Sequence, residues 1–257
     1  MAGSQIERAL NLLECLAGAG DVPMQALAEQ LQIPKSATHR MLAELVRLGY
    51  VRQETQGSHY RLSTKLVALG FRYLASSGAD IVQPILDRLA RQSGELVRLG
   101  VIEGERQTWI AKSQGARSGL RYDPDMGRDA PLRYTASGHA WLASLSNEEA
   151  LALVASQPIA DSDEFGPNAP HDNDQLLGYL HQARTRGYAA VVETSSVGTS
   201  ALAAVITHPR QGSVIGVLSI AGPSVRMPVE RMEELVPCLI ESAAELSAAS
   251  QASGLFV

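Results

Sequence analysis

The sequence predicts an α+β protein of two domains joined by a helix. Three short helical patterns and two β-favouring runs occupy the first quarter of the chain, whereas strand and helix patterns alternate irregularly over the remainder. The 257 residues are enough for two hydrophobic cores. Irregular alternation favours a mixed α/β second domain with a mainly antiparallel sheet over a doubly wound one. We expect a first domain at about 1–62, a linker helix at 63–78 and a second domain at 79–257.

Composition and charge describe an ordinary globular protein. Hydrophobic residues make up 45% of the chain and charged residues 19%, and the formal net charge is −5. We expect a cytoplasmic protein, because we see no signal peptide and no apolar run of about 18 residues that would span a membrane. Cys15 and Cys238 lie in apolar helical patterns without CxxC or His-rich company. They are therefore predicted to be reduced core residues, and no metal or cofactor is expected.

Three helices are predicted in the first 50 residues. The first carries apolar residues at helical spacing from Ile6 to Ala17 and ends at Gly18–Gly20. The second follows Pro23, and the third begins after Pro34, whose fixed φ and missing N–H suit a first turn. A tight turn between the second and third helices is typical of a helix-turn-helix arrangement.

The third helix has one face for burial and one for solvent. Thr38, Leu42, Leu45 and Leu48 form the apolar stripe. The opposite face carries Ser36, His39, Arg40, Ala43 and Arg47. Such donors and cations suit a DNA major groove, where guanine offers paired acceptors between flanking phosphates. The alternative is a merely solvated face.

A hairpin is predicted directly after this helix. Tyr50–Glu54 and His59–Leu62 favour strands, and Thr55–Ser58 joins them. A hairpin in this position forms a wing, whose cations can lie along phosphates or reach the minor groove. The alternative is an edge hairpin that only covers the helices. Although the whole chain is acidic, residues 35–61 carry five cations and two carboxylates, a net charge of +3.

The order of these motifs resembles the N-terminal domain of the IclR family of bacterial transcription regulators. The matching residues are Arg8-Ala9-Leu10, Lys35-Ser36, His39-Arg40-Met41-Leu42, Leu48-Gly49-Tyr50-Val51 and Tyr60-Arg61-Leu62. The resemblance implies sequence-specific binding to double-stranded operator DNA, control of catabolic genes, and a homodimer or dimer of dimers. Ala37 stands where the family often has threonine, so one hydroxyl contact to DNA is absent. The candidate DNA contacts are Gln25, Lys35, Ser36, Thr38, His39, Arg40, Arg47, Arg52, His59 and Arg61.

A linker helix is predicted to begin near Ser63, with a hinge at 75–78. In the IclR family such a helix joins the two domains and helps to pair subunits, whereas the alternative is a helix that lies on its own domain. Beyond it, a helical stripe covers 81–90 and further helices are predicted at 142–154, 174–186 and from 229 onward. The predicted strands are 96–103, 108–113, 119–122, 188–192, 202–207 and 214–220.

Two stretches of the second domain, Met126–Ala140 and Ser219–Pro223 with Arg226, also resemble the IclR family. The resemblance implies a GAF-like domain that binds a small-molecule carboxylate effector. From the residues alone, Thr135–Gly138 opens a helix whose N–H groups and dipole can meet a carboxylate. Helix capping by Thr135 or Ser137 is the alternative. The candidate effector contacts are Met126, Tyr134, Ala136, Ser137, Glu193, Ala201, Leu202, Ser219 and Ala221.

Departures from the family pattern predict a less polar pocket than one for a very small oxoacid. Ala201 and Ala221 stand where the family often has cysteine and serine. With Met126, Tyr134 and Leu202 as apolar walls, we expect an aromatic or larger organic acid. Three arginines are either carboxylate partners or exposed surface residues: Arg121, Arg128 and Arg133.

Two other classes of function compete with this interpretation. A hydrolase could use Ser137, His139 and Asp129, but no GxSxG elbow is present, and residues two apart on a helix point to different sides. Zinc-ligand spacing and phosphate-binding loops are also missing from the sequence. We therefore expect no catalytic residues and no metal site. The other competitor is a winged domain that binds protein instead of DNA.

Overall fold

The computed structural model describes residues 4–54, 59–76, 79–122, 126–157, 165–253 and 255–256. It divides into two compact units at Ala75 and Ser76. The predicted α+β class, with a helix-turn-helix N-terminal unit and a mainly antiparallel C-terminal sheet, is confirmed.

The described part of the N-terminal unit comprises four helices and a small antiparallel sheet in the order β1-β3-β2. Its elements are α1 (Gln5–Ala19), β1 (Val22–Pro23), α2 (Met24–Gln30), α3 (Lys35–Arg47), β2 (Val51–Gln53), β3 (His59–Leu62) and α4 (Thr64–Ser76). Leucines from all of the first three helices pack against Val51 and Tyr60 of the sheet. The predicted turn at Thr55–Ser58 lies outside the described residues.

The apolar face predicted for α1 is partly wrong. Leu12 and Leu16 enter the core, whereas Ile6 is 74% and Leu10 is 54% exposed. The helix carries apolar residues on two sides, and spacing alone does not tell which side faces its own domain. The second side remains at the surface of the single chain.

The C-terminal unit is built around a five-stranded antiparallel sheet in the order β5-β4-β8-β7-β6. Its elements are α5 (Ala79–Ser93), β4 (Leu96–Glu103), β5 (Arg106–Gln114), α6 (Ala136–Ala143), α7 (Asn147–Ser156), α8 (Asn173–Arg186), β6 (Ala189–Val192), β7 (Thr199–Thr207), β8 (Val214–Pro223) and α9 (Val229–Ala249). Helices α5 and α9 contact each other and the sheet, and α6 and α8 form a second contacting pair.

The predicted strand at 119–122 is wrong. This segment has no strand structure, and Leu120 is 66% exposed. The Leu120 carbonyl instead accepts a hydrogen bond from Arg226. A β-favouring residue without a surface to pack against does not form a strand, because strand preference depends on packing.

Candidate nucleic-acid interface and effector site

Helix α3 packs its apolar stripe on the domain core and presents its polar side to solvent. Met41, Leu42 and Leu45 are buried. Thr38 is also fully buried, and its hydroxyl donates to the Pro34 carbonyl at 3.3 Å. The prediction that Thr38 contacts DNA is therefore wrong, because its hydroxyl, the only polar atom of the side chain, is buried and donates to a backbone carbonyl. Leu48, predicted to be buried, is half-exposed beyond the end of α3.

The exposed side of α3 contains the remaining candidates of this helix. Lys35, Ser36, His39 and Arg40 are exposed at its first turns. Arg47, near the C-terminal end, donates through Nε to the Glu44 carboxylate at 2.9 Å. This contact lowers the pKa of the Glu44 carboxyl group. Among the described residues Arg40 forms no ion pair, so its guanidinium is available to a partner.

The hairpin β2–β3 places two arginines side by side. Arg52 lies directly opposite Arg61 in the antiparallel register, and both are exposed. Like charges directly opposite each other destabilise a strand pair. The only described relief is an ion pair of 3.9 Å between Arg61 and Glu54. A phosphate backbone would offset this repulsion.

The two other candidate DNA contacts, His59 and Gln25, are either half-buried or already hydrogen-bonded. His59 is half-buried at the start of β3. Gln25 is exposed on α2, and its amide donates to the Glu29 carboxylate at 2.9 Å.

A small cavity lies in the C-terminal unit at the first turn of α6. We name it the α6 cavity. Its volume is about 10 Å³, which is room for about one water molecule. Its lining residues are Arg98, Tyr122, Thr135, Ala136, Ser137, Ser195, Thr199, Ser200, Ala201, Ser219 and Ala221.

The pairing of neighbouring strands places the lining residues of the sheet next to one another. Ala201 of β7 pairs with Ala221 of β8, and Ser219 pairs with Arg98 of β4. Because side chains alternate between the faces of a sheet, these residues share one face. Five sequence-predicted residues therefore meet at the cavity: Ala136, Ser137, Ala201, Ser219 and Ala221.

The cation of the α6 cavity is Arg98, which the sequence analysis did not identify. Its side chain is buried, with 5% of the residue exposed, and its guanidinium carbon lies 3.8 Å from the centroid of a Trp109 ring. Within the described residues, Nε and Nη1 have no hydrogen-bond partner. Burial lowers the pKa of the guanidinium, and the nearby Tyr122 phenol opposes this effect. An arginine inside the apolar run 96–101 was the signal that could have revealed it.

A nearby carboxylate is already neutralised by another arginine. Glu95 is buried, and Arg226 binds both of its oxygens, through Nε at 2.6 Å and Nη2 at 2.8 Å. The described residues that line the α6 cavity include no carboxylate. The positive charge of Arg98 is therefore not balanced within the cavity wall.

The first turn of α6 is capped from within the chain. The Thr135 hydroxyl accepts a hydrogen bond from the Gly138 amide at 3.0 Å and donates to the Pro131 carbonyl. Ser137 donates its hydroxyl to Thr135. Capping therefore accounts for both hydroxyl groups, while the positive end of the α6 dipole still faces the cavity at Ala136 and Ser137.

The apolar walls predicted from the sequence lie elsewhere. Tyr134 stacks on Phe165 at a centroid distance of 3.7 Å, and Met126 packs against the hydrophobic core of the C-terminal unit. Leu202 is fully buried, and its strand neighbour Ala201 takes the cavity face, so Leu202 points to the opposite side of the sheet. Residues with hydroxyl groups and methyl groups form most of the wall instead. The lower polarity expected relative to a pocket for a very small oxoacid stays a prediction.

Glu193, also predicted to contact the effector, is engaged outside the cavity. Its carboxylate accepts the Gly198 amide at 2.9 Å. Its backbone has φ of +52°, an uncommon value for a residue with a side chain. The residue therefore shapes the turn that precedes β7.

The residues of the alternative hydrolase do not form a catalytic group. His139 is 1% exposed, and its Nε2 lies 2.6 Å from the Arg133 carbonyl oxygen. The Ser137 hydroxyl contacts Thr135. Asp129 accepts hydrogen bonds from an arginine and a threonine of β5. Each member thus has a separate structural partner.

The described ranges contain no candidate metal site and no candidate membrane span. No group of three or more His, Cys, Asp or Glu side chains there could hold a metal ion. The same part of the chain has no helix that is long and apolar enough to cross a membrane. Both cysteines are free thiols and partly buried.

Known sequences and structures resemble the chain over nearly its whole length. The profile of the IclR helix-turn-helix domain matches residues 5–55, and that of the bacterial transcriptional regulator IclR C-terminal domain matches residues 76–248. The acetate operon repressor of Salmonella typhimurium is 30% identical over 95% of this chain and 89% of its own length.

Two solved structures illustrate the similarity of fold. An IclR transcriptional regulator from Alicyclobacillus acidocaldarius has a TM-score of 0.84 and 24% identity over 97% of this chain and 100% of its own. An IclR homologue from Microbacterium hydrocarbonoxydans, complexed with 4-hydroxybenzoate, has a TM-score of 0.76 and 23% identity over 97% and 100%. With both domain profiles matched in order and repressors as relatives, the chain belongs to the IclR family of transcription regulators and is not an enzyme.

Proposed function

We propose that the protein binds a specific operator through α3 and the wing and that a small organic carboxylate modulates this binding. In this proposal, residues 1–62 bind DNA, 63–78 link the domains, and 79–257 sense the effector in the cytoplasm. The α6 cavity carries the effector assignment, because a buried cation and a helix N-terminus meet there without a carboxylate in the described wall.

The proposed assembly is a homodimer or a dimer of dimers. Its support is the exposed apolar surface of the N-terminal unit, on α1 at Ile6 and Leu10 and on α4 at Val67 and Leu69. Exposed apolar patches often mark protein interfaces. Two-fold pairing would place two α3 helices on a roughly palindromic operator.

Both small and aromatic acids are candidate effectors. The hydroxyl-rich wall of the α6 cavity favours a carboxylate with further hydrogen-bonding groups. The homologue complexed with 4-hydroxybenzoate favours an aromatic acid. Because the cavity holds about one water molecule, either ligand requires it to widen. In this proposal the widening of the cavity alters the affinity for the operator. The coupling free energy between the two sites is typically about 1–3 kcal/mol.

Footprinting on DNA that flanks the protein's own gene tests this function. We expect a protected, roughly two-fold site whose protection changes when the responsible acid is added. Protection should weaken steeply with added salt, because phosphate contacts release counterions. Absence of any protected site would favour the winged domain that binds protein.

Arg40→Ala should weaken operator binding by about 1–3 kcal/mol and blur the preference at one operator position. The reason is that Arg40 is exposed on α3 and free of ion pairs among the described residues. Binding of wild-type and variant protein to a set of operator mutants measures both effects. Arg47→Ala is the comparison, since a phosphate contact there would weaken all sequences alike. Equal affinity of the Arg40 variant for the operator would remove it from the interface.

Arg52→Ala and Arg61→Ala should each weaken binding to all DNA sequences and lower the salt slope by about 1. Each change removes one phosphate contact but also relieves the repulsion between the facing arginines. The free variants should therefore be no less stable than the wild type. Titrations at several salt concentrations, with urea unfolding of the free proteins, measure the two effects. An unchanged salt slope would assign the hairpin a covering role only.

A further inference from the structure

Arg98 is an ionised side chain placed where a protein seldom keeps one without a partner. It stands in a strand whose neighbours Leu96–Val101 are otherwise apolar and buried. Two guanidinium nitrogens, Nε and Nη1, have no hydrogen-bond partner in the described part of the chain. Buried cations are costly unless they are paired, because they lose their hydration.

Aromatic rings hold the guanidinium in place without neutralising it. Its central carbon lies 3.8 Å from a Trp109 ring centroid and 5.8 Å from that of Tyr122. Cation–π contacts of this kind stabilise an arginine but provide no acceptor for its N–H groups. Arg98 is thus held in place while the donors of Nε and Nη1 remain unused.

No carboxylate of the described cavity wall is available to pair with Arg98. Glu95, three residues earlier, is bound on both oxygens by Arg226. The rest of the cavity wall contributes hydroxyl and methyl groups together with the first turn of α6. Arg98 and the α6 dipole therefore attract a negative charge to the same small space.

We propose that Arg98 selects the effector by forming a charge-assisted hydrogen bond with its carboxylate, opposite the first turn of α6. This inference rests on the proposed function and assigns its anion recognition to one residue. The ligand class is a small organic carboxylate whose other polar groups meet the hydroxyl wall. The neutral amide of the same acid lacks the charge that Arg98 requires, so the site rejects it.

Two substitutions of Arg98 test the assignment in the full-length protein. Arg98→Met removes the charge and the donors, whereas Arg98→Gln keeps donors and removes the charge. Arg210→Met is the matched control, because Arg210 is exposed in the turn between β7 and β8. The probes are pyruvate and 4-hydroxybenzoate, each compared with its amide, and inorganic phosphate. Calorimetry measures affinity, and thermal unfolding measures stability with and without each probe.

At least one acid should bind the wild type and the Arg210 control better than its amide. Arg98→Met should lose about 10- to 100-fold in affinity for that acid, as expected for a hydrogen bond to a charged group. Arg98→Gln should bind acid and amide about equally. Without ligand, Arg98→Met should unfold at a temperature no lower than that of the wild type, since an unpaired buried charge is removed.

The contrary results are separable from failure of the proposed function. If the wild type binds an acid and Arg98→Gln keeps the same preference over the amide, the assignment to Arg98 is wrong while the acid effector stands. If Arg98→Met does not fold, the Gln variant decides. Binding of phosphate alone would overturn the carboxylate class. If the wild type binds none of the acids, both proposals fall.

Discussion

Replacing Gly138 by alanine is expected to lower the free energy of unfolding of the C-terminal unit by about 3 kcal/mol, near the top of the range for overpacked sites. A Cβ atom at Gly138 would overlap the backbone of Leu132, with 2.6 Å to its carbonyl carbon and less to its oxygen. The Leu132 amide is itself tied to the Gln157 side chain. The backbone therefore cannot move away cheaply, and the gain of about 1 kcal/mol for alanine in a helix does not compensate.

Gly178→Ala is the matched control for this change. Gly178 lies on the exposed side of α8, and a Cβ there would meet nothing within 4 Å. We expect this variant to gain up to about 1 kcal/mol. Both tryptophans, Trp109 and Trp141, belong to the C-terminal unit, so urea unfolding followed by tryptophan fluorescence reports on it. Equal stability of the two variants would contradict the close packing of α6 on Leu132.

Acid should destabilise the C-terminal unit through His139. Burial lowers the pKa of this imidazole from 6.5 to about 4, and its Nε2 donates to the Arg133 carbonyl. The unfolded chain therefore binds a proton first as the pH falls below 6.5, and the folded state follows only near pH 4. The stability contributed by the neutral form is complete above pH 6.5 and declines between 6.5 and 4. The expected loss from this group between pH 8 and pH 5 is about 2 kcal/mol.

His139→Gln should remove this part of the pH dependence, because glutamine does not titrate. Urea unfolding at pH 8, 7, 6 and 5 measures the slope, and the window avoids most carboxyl groups. His181→Gln provides the control, since His181 is exposed on α8. If the two variants keep the same slope as the wild type, His139 does not remain neutral in the folded protein.

The DNA-binding half follows closely from local sequence patterns. The spacing of Leu42 and Leu45 predicts the buried side of α3, and the exposed positions of His39 and Arg40 follow from it. The prediction of a DNA contact for Thr38 is wrong because it rests on the polar side chain. The spacing of Thr38 places it on the buried side of the helix with the leucines. Ala37 is half-buried against the core, which limits the effect of the missing hydroxyl.

The effector half depends on contacts between distant parts of the chain. Ala136 and Ser137 were identifiable because a helix start is a local feature. The apolar walls were predicted wrongly, because the partner of Tyr134 is Phe165, and no spacing within either segment indicates that stacking. The prediction for Leu202 is wrong because the face of the sheet on which a residue lies depends on strand register. A shift of one residue exchanges the two faces.

The sequence by itself determined the fold class, the family and the polar face of α3, because helical and strand periods and capping residues act within a few positions of the chain. Only the tertiary structure decided that Arg98 is the cation of the α6 cavity. Its partners Trp109, Tyr122 and Ser219 come from other segments, and antiparallel pairing of β4 with β5 and β8 brings two of them beside it. Only such packing buries a charge without an ion partner, and a buried cation without a partner favours the binding of an anion.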